Sequence, residues 1–144
     1  MVEVALALAI TGLAMVSILG LFVVGLGSSH DATDDQTVSQ MVQAIVADRQ
    51  STPYSQPTPT LSGTSFNIPA LNAFPINGYT LFFKKNGGVL LTAIDPPYYE
   101  VNMKVNSILP SDFVFFDIRV SWPTTLSIAN RTTCFYTTVF TKHE

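Results

Sequence analysis

Val4 to Leu26 carries no charged residue, and a single acid, Glu3, stands immediately before it. As a helix at about 1.5 Å per residue such a run reaches roughly 35 Å, enough to cross the hydrocarbon core of a bilayer. No other feature constrains the fold as much. A helix that is apolar on every side cannot face water and needs lipid or other helices around it. Glu3 adds a second constraint, because a carboxylate held near the centre of a bilayer costs about 2.5–3.5 kcal/mol on insertion scales. A partner charge is therefore expected for it.

The chain has 144 residues, so a rod of this length leaves room for one small globular head. The hydrophobic fraction of 47% and the charged fraction of 12% come partly from the rod. The head still holds Phe113-Val-Phe-Phe116, Trp122 and Phe135-Tyr136, enough to build a core. A net charge of −3 argues against nucleic acid as a partner. All the basic residues (Arg49, Lys84, Lys85, Lys104, Arg119, Arg131, Lys142) lie beyond the rod, so no positive-inside signal orients it. If a basic leader once existed, it has been removed or it precedes this sequence. Cys134 has no second cysteine to pair with and falls in an alternating pattern. A small buried apolar residue is favoured there over a reactive thiol.

After Gly25-Leu26-Gly27 and the polar stretch Ser28 to Gln36, apolar residues recur at Val38, Met41, Val42, Ile45 and Val46, one stripe of an amphipathic helix. The expectation is one long helix from about residue 1 to 50. Residues 1–27 form a transmembrane or filament-core segment, and 28–50 form the amphipathic half of the same helix. Residues 51–77, with Pro53, Pro57, Pro59, Pro69 and Pro75, read as an irregular connection over a surface. Residues 78–144 read as an antiparallel β head. Tyr79 to Lys84 is a strand, Lys85-Asn-Gly-Gly88 a turn and Val89 to Ile94 its hairpin partner. Tyr99 to Ile108 alternates, Leu109 to Asp112 turns, and Phe113 to Trp122 follows as a strand. In that strand Val114, Phe116, Ile118, Val120 and Trp122 face the core. Pro123 to Asn130 is a loop and Arg131 to Lys142 a last strand. The fold class is α+β, with a sheet of four or five strands laid across the helix stripe.

The opening Met1-Val-Glu-Val-Ala-Leu-Ala-Leu-Ala-Ile10, the connection and the sheet together resemble the type IV pilin and pseudopilin superfamily. The match is specific over about the first 26 residues and architectural afterwards. In that family a short basic leader ending in glycine is cut before an apolar segment, and the acid is the fifth mature residue. The resemblance therefore implies that two mature residues precede Met1, or that this start is shorter. Gly12 matches the family's first helix-loosening glycine, and Gly20 stands where many pilins have a proline. The phrase Val-Glu-Val-Ala-Leu-Ala-Leu and the strand ending Arg-Val-Ser-Trp-Pro123 are similar to minor pseudopilins of the I type. They are also similar to pilin-like proteins of the Verrucomicrobia–Planctomycetes kind. The C-terminal disulfide loop of many pilins is absent, and no calcium loop of major pseudopilins is recognisable.

The resemblance implies a structural subunit of a type IV pilus-like filament, held in the cytoplasmic membrane before assembly and extracellular afterwards. Its partners would be further copies of itself, a prepilin peptidase and an ATP-driven assembly platform. The assembly residues would be Glu3, Met1, Gly12 and Gly20. Glu3 would meet the α-amino group of a neighbouring subunit and set axial register, or else remain at a membrane edge. Gly12, Gly20, Gly25 and Gly27 serve close helix contact or loosen the helix, with unwinding between 12 and 20 as one reading and plain helix as the other. The alternatives are a minor pseudopilin of a periplasmic secretion pseudopilus and a single-pass anchored binding or sensory domain.

Catalysis has little support in the sequence. His30 beside Asp31, and His143, belong to no recognisable triad, and no ligand spacing points to a metal or cofactor. Asp31, Asp34 and Asp35 read as a solvated helix face rather than an ion site. Asn130-Arg131-Thr132 is a glycosylation sequon, and the Ser/Thr/Pro stretch 51–66 reads as loop before it reads as an O-glycosylated segment.

Overall fold

The computed structural model describes residues 2–58, 66–88, 96–107 and 112–142. Helix α1 runs unbroken from Val2 to Gln50. Strands β1 (Tyr79–Phe83), β2 (Tyr99–Ser107), β3 (Phe113–Trp122) and β4 (Thr132–Thr141) form one antiparallel sheet in the order β1-β2-β3-β4. The chain is therefore α+β, one long helix with a four-stranded meander. It divides into two units, residues 1–36 and 37–144.

Within the second unit the helix stripe and one sheet face make the core. Val38, Met41, Val42 and Ile45 are buried, with Val46 packed at the margin. Across from them lie Val101, Met103, Phe116, Ile118, Val120 and Trp122, and Val114 is buried as well. The register shows why one face is apolar throughout. Val101 pairs with Val120 and Val120 with Cys134, while Met103 pairs with Ile118 and Ile118 with Tyr136. Side chains opposite one another in a sheet share a face, so each apolar row crosses several strands.

Two of three expectations are corrected. First, strand β1 pairs with β2, Tyr79 opposite Met103 and Phe83 opposite Tyr99, while the Val89 to Ile94 stretch expected as its hairpin partner lies outside the described residues. The turn after β1 does form: Gly87 N–H donates to the Lys84 carbonyl at 2.9 Å and Lys84 N–H to the Gly88 carbonyl at 2.8 Å. Gly87 holds φ +79°, a conformation that favours glycine. Secondly, the connection after α1 is not merely a surface strap. Ile68 and Leu71 are buried in the core, Leu71 opening a 3₁₀ turn Leu71–Ala73. Phe74 lies edge-on to Phe116 with centroids 5.8 Å apart. Apolar residues scattered among prolines carry no period, so their burial depends on the route of the chain. Thirdly, Cys134 is half-buried rather than buried; its thiol is free and packs against the core margin.

Arg49 secures the reversal at the end of α1. Arg49 is only 1% exposed, and its guanidinium donates to the carbonyls of Gln56 (2.8 Å), Thr52 (3.2 Å) and Pro53. Burial lowers its pKa from the ordinary arginine value, with Asp48 acting in the opposite sense, and it stays cationic at any physiological pH. Arg49→Met is expected to lower stability by about 1.5–3 kcal/mol, the range for hydrogen bonds to charged groups. Denaturant unfolding measures this, and an unchanged midpoint would remove Arg49 from the account.

A chain beginning near residue 28 is expected to be soluble, to melt cooperatively and to emit Trp122 fluorescence to the blue of indole in water. Trp122 is buried, and its ring lies 5.9 Å from that of Tyr99. A broad, non-cooperative melt would show that the second unit needs more of the helix or a neighbour to fold.

Candidate functional site: the exposed apolar helix

From Val2 to Leu26 the large apolar side chains of α1 are 53–81% exposed. Successive helical residues turn about 100° around the axis, so this exposure covers every side of the rod. Contiguous apolar surface on this scale marks a surface for protein or lipid contact. By length and composition, α1 is the one helix among the described residues able to cross a membrane.

The polar atoms of the run are satisfied within the helix. The Thr11 hydroxyl donates to the Ala7 carbonyl at 2.8 Å and the Ser17 hydroxyl to the Leu13 carbonyl at 2.9 Å. A helix supplies all its own backbone bonds, which is what a water-poor environment requires. Glu3 remains exposed in the first turn, where the helix dipole favours a carboxylate. It is the only charged group from Val2 to Leu26.

The helix continues unbroken through Gly12 and Gly20, so the single chain is helical across 12–20. A Cβ added at Gly12, Gly20, Gly25 or Gly27 would meet nothing within 4 Å. Nothing in one chain therefore calls for glycine at these positions. Met1 lies outside the described residues.

No family model matches this chain, and neither does any curated protein or solved structure.

The other candidates are scattered. Asp31 and Asp35 are exposed on α1 and Asp34 is half-buried, and among the described residues no group of three or more His, Cys, Asp or Glu side chains comes together. His30 is exposed on the same helix, and His143 lies outside the described residues. Asn130 is exposed at the end of a 3₁₀ turn, Ile128–Asn130. Arg131 beside it pairs with Glu100 at 2.6 Å and donates to the carbonyls of Thr124 and Leu126, both at 2.9 Å. The sequon thus sits on a braced loop. A cleft of about 460 Å³ beside the end of α1 is lined by Arg49, Tyr54, Leu71 and Phe140 among others.

Sequence reasoning passed over Arg49 and Arg131. A basic residue in a helix's last turn was the available signal for Arg49. Arg131 carried none, because its acceptors come from a loop several residues back and from Glu100 on β2.

Proposed function

We propose that this chain is a structural subunit of a type IV pilus-like filament, non-enzymatic, anchored in the cytoplasmic membrane before assembly and extracellular afterwards. One observation supports the reading above the rest: a helix exposed and apolar on every side from Val2 to Leu26, with the lone carboxylate of Glu3 at its start. Lipid and a bundle of like helices are similarly apolar, so the same surface suits both stages. In the bundle Glu3 meets the α-amino group of a neighbouring mature subunit. Because an unpaired carboxylate in such a place is so unfavourable, the pair specifies axial register more than it adds net stability.

The open space around Gly12 and Gly20 fits this reading, since glycines with no role inside the chain allow close approach between chains or local loosening. Gly20→Ala stabilises an isolated helix by about 1 kcal/mol and is nevertheless expected to lower filament yield. Circular dichroism of the chain in detergent and electron microscopy of native material check the two halves of that statement. Undiminished yield would mean that Gly20 serves neither contact nor loosening.

Electron microscopy also tests the function itself. A helical repeat in native material, with residues 2–27 buried against other copies, supports the filament. The helix found alone in lipid, with no copies around it, refutes it and leaves a single-pass anchored head.

A further inference from the structure

Strand β4 ends the sheet, and among the described residues its outer edge pairs with no other strand. Such an edge presents unpaired N–H and C=O groups, which proteins ordinarily blunt with charge, proline or a bulge. Thr132 to Thr141 contains no charge, no proline and no glycine. The face of β4 turned away from the core carries Thr133, Phe135, Thr137, Val139 and Thr141, opposite Ser121, Arg119, Asp117, Phe115 and Phe113 of β3. That row has the same pattern in both directions about Thr137: threonine, apolar, threonine, apolar, threonine. Phe135 is 75% exposed and Val139 50%.

We propose that β4 is a self-pairing edge, on which a second copy of this chain docks antiparallel, β4 to β4, about a two-fold axis through Thr137. The joint makes one continuous sheet with four strands from each copy. A two-fold contact of this kind requires a self-complementary surface, and the row about Thr137 supplies one. Phe135 falls opposite Val139 of the second copy and Val139 opposite its Phe135, an aromatic and β-branched pairing that covers both exposed side chains. Thr137 meets its own counterpart, and Thr133 meets Thr141. The register keeps both cores on the same side of the sheet, since Tyr136 falls opposite Thr138 and Cys134 opposite Phe140.

Charge does not oppose this occupant. On the core side, a groove of about 370 Å³ beside β4 is lined by Val42, Val46, Ala47, Ile118 and Tyr136 among others. The helix stretch bordering it, Gln36 to Ala47, is as free of charge as β4 itself. Lys142, at the strand's end, falls opposite Thr132. No like charges meet, and nothing along the joint selects a partner of opposite charge. A two-fold axis normal to the sheet reverses the direction of residues 37–50 between the two copies, so this contact joins copies that are not parallel neighbours in one helix bundle, and it does not depend on that bundling.

The test uses the full chain in detergent micelles, carrying Cys134→Ala so that engineered thiols report alone. With a short bismaleimide, Thr137→Cys is expected to cross-link to itself at least tenfold faster than Thr133→Cys, whose counterpart lies far along the strand in this register. Phe135→Lys and Val139→Glu singly are expected to weaken dimerisation at least tenfold by sedimentation. The double variant restores it, because each lysine then faces a glutamate of the other copy. Thr133, Phe135, Thr137 and Val139 point away from the core, and Cys134→Ala trims one half-buried thiol, so the fold is retained. Equal cross-linking of the two cysteine variants overturns the proposal. So does a double variant that associates no better than the singles, or a residue-137 adduct to a different protein with no self-product.

Discussion

Glu3→Ala is expected to abolish filaments, or to reduce their yield at least tenfold, while leaving the melting of residues 37–144 unchanged. Two unit charges about 4 Å apart attract by roughly 4 kcal/mol at an effective dielectric of 20, before desolvation is deducted. Desolvation removes much of that gain, so the larger consequence lies in what a missing partner costs. In the proposed bundle, any axial slip strands the Glu3 carboxylate among apolar helices. With alanine, all registers become similar in energy, and a helical assembly without a specified register does not grow. The second unit lies elsewhere in the chain and contains its own core, which is why its melt serves as the control. Electron microscopy and a pelleting assay measure the yield. Wild-type amounts of filament from Glu3→Ala would show that this carboxylate does not set register.

Phe116→Ala is the other change with a large effect, this time on stability alone. Phe116 is fully buried, and its ring lies 5.8 Å from both Phe74 and Phe140, edge-on to each. It therefore ties the connection after α1 to the last strand through the middle of the sheet. Truncating a buried phenylalanine to alanine costs about 3–5 kcal/mol in lost transfer energy and residual cavity. At about 4–8 °C per kcal/mol for a domain near this size, the melting temperature falls by more than 10 °C. Phe115→Ala, one residue away on the opposite face of β3, is expected to cost under about 1.5 kcal/mol, since that side chain is only partly buried. Calorimetry on the pair decides the matter. Equal losses would mean that the two faces of β3 contribute alike and that the core has been drawn on the wrong side.

Much of the architecture was legible because it is written as period. Val38, Met41, Val42 and Ile45 recur at helical spacing, and Val114, Phe116, Ile118 and Val120 recur every second residue. Period is a local property, readable without knowing where the rest of the chain goes. The pairing of β1 with β2 was not legible in the same way. The Lys85 to Gly88 turn favours a hairpin with whatever follows it, whereas the pairing of Leu81 with Val101 depends on the whole sheet being in place. The burial of Ile68 and Leu71 was likewise hidden, because two apolar residues among prolines have no repeat to announce which way they point.

The candidate assembly surface divides along the same line. Its existence follows from composition alone: an uncharged stretch long enough to span a bilayer, with one acid at its start, must be covered by something apolar whatever the remainder of the chain does. That Gly12 and Gly20 have no neighbour within their own chain is a matter of three-dimensional placement. So is the guanidinium of Arg49 gathering three carbonyls from a segment that begins only after its helix ends. So too is the position of β4 as an uncharged outer edge, since a strand becomes an edge only when its neighbours are counted. The sequence by itself determined which segments are helix and strand and which of their faces shun water, because those follow from side-chain spacing along a single element. Only the tertiary structure decided which strand pairs with which, which loop residues enter the core and which edge stays open, because each of those depends on segments distant in the chain being brought together.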